Sequence, residues 1–170
     1  MGMKSRHILH FAAALLMLCS PLHAIGAQEG DRGIVEVLDS NNDAKKLDGT
    51  KLKVARPFLK RTPMGVIADE INMMIICPFD LEDENNGRKF SKEALTVLKK
   101  YNLVQQIDDE KSTMDIYIDT PVGDRFSEII LYNTRPETSI LLFVGDFTVE
   151  SLIKVGEASE QERRHLKKNK

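Results

Sequence analysis

Hydrophobic positions fall into three regimes along this chain. The first is one apolar block, Ile8 to Leu22, with Phe11-Ala-Ala-Ala-Leu-Leu-Met-Leu18 at its centre and Pro21 near its end. It follows Lys4 and Arg6 and precedes the small residues Ala24, Gly26 and Ala27. That is the three-part pattern of a secretory signal peptide. The block is shorter than the ~18 residues expected of a membrane-spanning helix. Residues 1–27 therefore read as a leader, cut after Gly26 or after Ala27. Leu18 precedes Cys19, where a lipoprotein leader wants Gly or Ala, so the sequence predicts a soluble exported chain.

The second regime is polar. Residues 28–50 read as a polar N-terminal segment or linker with one strand-like run, Ile34-Val-Glu-Val-Leu38, and a turn composition at Asp39-Ser-Asn-Asn-Asp43. Leu52 and Val54 alternate with charged neighbours, which predicts a short strand near Lys51 to Ala55. Pro57 suits a first helical position. Phe58, Leu59, Val66, Ile67 and Ile71 could then line one helix face, interrupted by Pro63 and Gly65.

The third regime alternates or runs apolar in short, bounded stretches. Asn72 to Phe79 reads as a buried strand with Pro78 near its end. Asp80 to Lys89 is an acidic loop. Ser91 is placed to cap a helix, with Phe90 stapling to Leu95 and with Ala94, Leu95, Leu98 and Tyr101 on the buried face. Four strands follow: Leu103–Ile107, Met114–Ile118, Phe126–Asn133 and Ser139–Gly145. The short turns between them make neighbours antiparallel. Ile140-Leu-Leu-Phe-Val144 is apolar on both faces, so this strand should be central. Thr148 caps a last helix with Phe147 stapling to Leu152, and Leu152, Ile153 and Val155 bury it. The expected fold class is α+β: a single domain with a mostly antiparallel sheet of about five strands. Two or three helices should pack on one face, with a C-terminal helix after the last strand. The domain should span residues 51–157, with a charged tail at 158–170.

Composition narrows the chemistry. The chain has 170 residues, 42% hydrophobic and 29% charged, so a packed globular domain is expected rather than disorder. Its net charge of −2 argues against binding nucleic acid by phosphate neutralisation. Loss of the leader removes His7, His10, His23 and Cys19, leaving His165 and Cys77. One cysteine cannot form an intramolecular disulfide. One histidine in a charged tail does not supply a triad or a general base. Cys77 lies in an apolar strand and reads as an inert core thiol. Two such ligands, far apart in sequence, fall short of a zinc site.

Calcium has partial spacing matches. Glu82, Glu84, Asn86, Gly87 and Glu93 fall at loop positions 1, 3, 5, 6 and 12 of an EF-hand. Glu82 stands where Asp is wanted and Lys89 where an apolar residue is wanted. Asp39, Asn41 and Asp43 form a second fragment, with Ala44 in place of the needed Gly. No catalytic, cofactor-binding or metal-ligating residue is assigned, and no cofactor is expected.

The C-terminal half carries a further pattern. Phe90-Ser-Lys-Glu-Ala-Leu-Thr-Val-Leu98, Phe126-Ser-Glu-Ile-Ile-Leu131 and Leu142-Phe-Val-Gly-Asp-Phe-Thr-Val-Glu-Ser-Leu152 resemble the Bacteroidetes domain of unknown function 4252 family. Gly145, Thr148 and Glu150 sit at its strand-to-helix junction, and Lys53-Val-Ala-Arg-Pro-Phe-Leu59 is similar to its approach to the first helix. The resemblance spans about Lys51 to Val155. It implies a Gram-negative envelope setting, with no activity or catalytic residues to carry over.

Export and the scarcity of catalytic side chains point to a non-catalytic envelope domain that binds a protein or small ligand. Tyr117, Tyr132 and Phe143 are candidates for an open sheet face. The alternatives are a hydrolase relying on carboxylates alone and a structural or envelope-stress component.

Overall fold

The computed structural model describes residues 33–83, 87–108, 113–135 and 137–168. The leader lies outside them. Among the described residues the elements are α1 (Ile34–Asp39), β1 (Lys45–Asp48), α2 (Gly49–Leu59), a 3-10 turn (Pro63–Ile67), β2 (Ile71–Pro78), α3 (Gly87–Leu98), β3 (Asn102–Asp108), β4 (Thr113–Ile118), β5 (Arg125–Arg135), β6 (Ser139–Thr148) and α4 (Val149–Lys168). The class is α+β, with one six-stranded antiparallel sheet ordered β1-β2-β6-β5-β4-β3 and a C-terminal helix after the last strand. β6 and β5 lie at the centre, where their apolar residues are buried on both sides.

Register sorts the side chains into two cores. The row Ile75–Leu142–Ile130 faces one side and the row Met74–Phe143–Ile129 the other. The first side is covered by α1 and α3, through Ile34, Val37, Leu38, Phe90, Ala94, Val97 and Leu98. The second is covered by α2, the 3-10 turn and α4, through Leu52, Met64, Ile67, Leu152 and Val155. Helical elements thus flank both faces, where the sequence led us to expect one. The proposed open face is corrected accordingly: Phe143 and Tyr132 are buried on opposite sides, and Tyr117 is half-buried.

The largest corrections fall in the N-terminal third. The run Ile34–Leu38 is a helix. A strand would place Glu36 on the same face as Ile34 and Leu38. The helix instead groups Ile34, Val37 and Leu38 at i, i+3, i+4 and leaves Glu36 in solvent. This segment and β1 belong to the core and the sheet, so the boundary expected at residue 50 does not follow the packing. Lys51–Ala55 also lies in a helix. Gly49, at φ 45°, turns the chain directly out of β1, and α2 buries Leu52 while Val54 points outward. Pro57 sits in its last turn, not its first. Phe58, expected on a buried face, is 67% exposed.

The junction between β6 and α4 matches its expected chemistry. The Thr148 hydroxyl accepts the backbone N–H of Ser151 at 3.1 Å, capping α4. The Ser151 hydroxyl donates to Glu70 at 2.8 Å, tying α4 to the start of β2. Gly145 lies beside the same junction. A Cβ there would stand 2.3 Å from the Glu70 carbonyl oxygen, so glycine is what lets the two chains approach. The start of α3, by contrast, lies one turn before the expected cap. Ser91 is buried inside the helix, Val97 joins Ala94 and Leu98 on its inner face, and Leu95 is left exposed.

Candidate functional site

One surface cleft of about 410 Å³ opens where the α1–β1 loop meets the segment leading from β2 into α3. Its volume lies in the range of small-ligand sites. Each wall has a local cause. On one side, the Asn41 side chain accepts the Asp43 N–H at 2.9 Å, and the Asn41 carbonyl accepts the Ala44 N–H at 3.1 Å, closing a tight turn into β1. On the other, Pro78 ends β2 and Phe79 donates its N–H to the Thr138 carbonyl at 3.1 Å. The Asp80 carboxylate then accepts the Glu82 N–H at 2.8 Å. α3 starts against this turn. A Cβ on Gly87 would lie 1.6 Å from the Asp80 carbonyl oxygen, so the residue must be glycine for the wall to close.

The lining combines charge with aromatic surface. Asp43, Asp80, Asp83 and Glu93 line the cleft together with Lys89, Phe79 and Phe90. Phe79 packs edge-on to Phe90 at 5.1 Å between ring centres and stacks parallel to Tyr132 at 6.4 Å. Phe90 is buried, while Phe79 stays half-open to the cleft. The arrangement is an acidic mouth beside an anchored aromatic ring, which favours cationic and hydrogen-bond-donating groups.

The structure therefore joins the two calcium-like fragments, since both contribute to this cleft. It does not make an EF-hand of the longer one. From Gly87 onward that loop is already helical, whereas calcium needs six to eight oxygens converging from a loop. Glu84 and Asn86 lie outside the described residues. Among the described residues, no three His, Cys, Asp or Glu side chains group as metal ligands.

The remaining sequence candidates fall elsewhere. Cys77 is fully buried, and desolvation, with the charge of Asp43 adding to it, pushes its thiol up to about 12. It is held as a thiol and has no access to solvent. The His165 side chain lies outside the described residues.

One polar cluster was not foreseen. The Tyr101 hydroxyl donates to Glu128 at 2.5 Å. Burial raises the Glu128 carboxyl above its ordinary range, opposed by the Tyr101 hydrogen bond and assisted by Asp119. Asp119 in turn accepts from the Ser127 N–H and hydroxyl and the Glu128 N–H. Glu128 and Asp119 are thus two carboxylates near enough to influence each other. Both are engaged in the fold: Glu128 holds Tyr101 at the α3–β3 junction, and Asp119 closes the β4–β5 connection. Only the fold could reveal it, since Tyr101 and Glu128 stand 27 residues apart.

No protein-family model, curated protein or solved structure matches this chain.

Proposed function

We propose that this chain is an exported, non-catalytic binding domain of the bacterial cell envelope, related to the domain of unknown function 4252 family. Its ligand site is the cleft between the α1–β1 loop and the start of α3. The leader-like residues 1–27 support export, and the strand-to-helix signature around Gly145, Thr148 and Glu150 supports the family relation. The observation that carries the binding reading is the cleft itself. Four carboxylates and one lysine line a space of about 410 Å³ beside the half-open Phe79 ring. Such a site takes a small ligand that offers an amine or several donors, with the ring contacting its apolar part.

The test is an NMR titration of the chain from Gln28 onward, using putrescine and benzylamine as probes. Binding should move the backbone resonances of Asp43, Asp80 and Lys89, and the double variant D43N/D80N should weaken it at least tenfold. Shifts confined to other surfaces, or none at all, would sink this reading. Hydrolysis of a chromogenic glycoside that disappears in E128Q would put the hydrolase in its place.

A further inference from the structure

The outer side of α2 carries features that neither the core nor the cleft uses. Between Lys45 and Arg61 the chain places seven Lys or Arg residues and one acid, Asp48, within a protein whose net charge is −2. Three of these cations are engaged. Lys46 pairs with Asp39 at 3.4 Å, and Lys60 with Asp69 at 2.8 Å. Arg56 lies 3.9 Å from Asp69 and donates to the Ile71 carbonyl. Lys45, Lys51, Lys53 and Arg61 are exposed and form no ion pair with the described residues.

The apolar residues complete the pattern. α2 turns Leu52 and Leu59 inward. Val54 and Phe58, four residues apart and so on one outward face, are 66% and 67% exposed. With Lys51 before them and Arg61 after, they form a stripe at spacings of three, four and three residues: cation, aliphatic, aromatic, cation. Lys45 adds to it from β1, on the same sheet face as Leu47, which packs on the core beneath α2.

We infer that this stripe docks the protein on an anionic lipid surface, with Phe58 and Val54 entering the interfacial layer and Lys45, Lys51, Lys53 and Arg61 at the phosphates. Three observations favour lipid over an acidic protein. The two apolar side chains stand out from a single helix at the β1 edge of the sheet, a shape that suits a yielding surface. Cations at both ends of the stripe can keep their heads among phosphates while their stems lie along the apolar layer. Three of the four free cations are lysines, point charges suited to a diffuse field rather than to the bidentate geometry that arginine gives a carboxylate. This inference does not depend on what the cleft binds.

The experiment uses the chain from Gln28 onward, which contains every described element and lacks the apolar leader. The protein has no tryptophan, so Phe58→Trp introduces a single reporter. With vesicles of equimolar phosphatidylglycerol and phosphatidylcholine, its emission should shift to the blue and the protein should sediment with the lipid. Pure phosphatidylcholine should do neither. In the native background, K51E/K53E should weaken sedimentation about twentyfold or more, and F58S about tenfold. K92E/K99E, exposed on α3 and just past its end, should change it less than twofold. Circular dichroism confirms that each variant is folded; these positions are all exposed. Absence of lipid binding, equal binding to both vesicles, or a loss with K92E/K99E and not with K51E/K53E would overturn the inference. So would binding to soluble polyglutamate without binding to vesicles, which would assign the stripe to an acidic protein.

Discussion

Replacing Tyr101 by phenylalanine tests how the α3–β3 junction is held to the sheet. The hydroxyl links the α3–β3 junction to Glu128 on β5. Burial holds the phenol protonated far above its ordinary range, so it remains a donor at every working pH. Its removal takes a hydrogen bond from a half-buried carboxylate. A bond to a charged group contributes about 1.5–3 kcal/mol, so Y101F should cost about that much at neutral pH. The pH dependence follows from Glu128. Its folded-state pKa is raised above the ordinary 4.5, so the folded state binds the proton more tightly than the unfolded state does. Its contribution to stability is present below 4.5 and is lost as pH rises through the folded value. The Tyr101 bond opposes that rise, so Y101F should steepen the loss toward neutral pH. Near pH 4 the carboxyl is largely neutral and the cost should fall to about 1 kcal/mol. Urea unfolding followed by circular dichroism at both pH values gives the two numbers. E128Q should remove the slope without lowering stability at neutral pH. An equal loss at both pH values, or a loss below about 0.5 kcal/mol, would show that the hydroxyl is not holding a buried charge.

Three further outcomes follow from the packing. Leu152→Ala, at a side chain 2% exposed beneath α4, should cost about 2–5 kcal/mol in the same unfolding assay. Native Cys77 should resist thiol reagents at neutral pH, since its pKa of about 12 and full burial deny both thiolate and access; denaturation in urea should release it to rapid labelling. Gly87→Ala drives a methyl into the Asp80 carbonyl and should cost about 1–3 kcal/mol or more while displacing Asp80 and Asp83, visible as NMR shifts along the cleft wall.

The C-terminal two-thirds were legible in the sequence because the sheet writes a strong signal there. Met114, Ile116 and Ile118 alternate with Asp115 and Tyr117, and one alternation fixes both the strand and its inner face. Ile140 to Val144 is apolar throughout, and the strand it forms is buried on both sides at the centre of the sheet. The N-terminal third gave no comparable signal. α1 has six residues, too few to separate a 3.6 from a 2.0 period, and only Glu36 distinguishes the two readings. α2 was obscured because its outward residues, Val54 and Phe58, are apolar, so its hydrophobic pattern does not mark its buried face. The cleft was illegible for another reason. Its residues could be named singly, as acidic turns at 39–43 and 80–89. Their meeting depends on β1 pairing with β2, as Lys46 does with Ile75, and on Gly87 fitting against Asp80.

Covering both faces of the sheet limits where function can reside. Had the helices packed on one side, the other would offer a broad apolar platform. Instead, exposed apolar area on the α1–α3 side of the sheet is pushed toward the β3 edge, where Leu103 is 44% exposed opposite Tyr117. Two charged surfaces stand out among the described residues, the acidic cleft and the basic outer side of α2. They have opposite charge, and neither can be explained as protection of a sheet edge. Lys45 and Lys46 on the short β1 would be enough to discourage edge pairing. That purpose calls for no exposed phenylalanine one helix later. Val54 and Phe58 contribute almost nothing to the core that Leu52 and Leu59 already fill, and leaving them in water forfeits the burial that makes such residues favourable. The proposed ligand site and the proposed lipid-docking stripe carry opposite charges and lie on separate surfaces, so the two proposals are compatible: neither occupant would compete with the other.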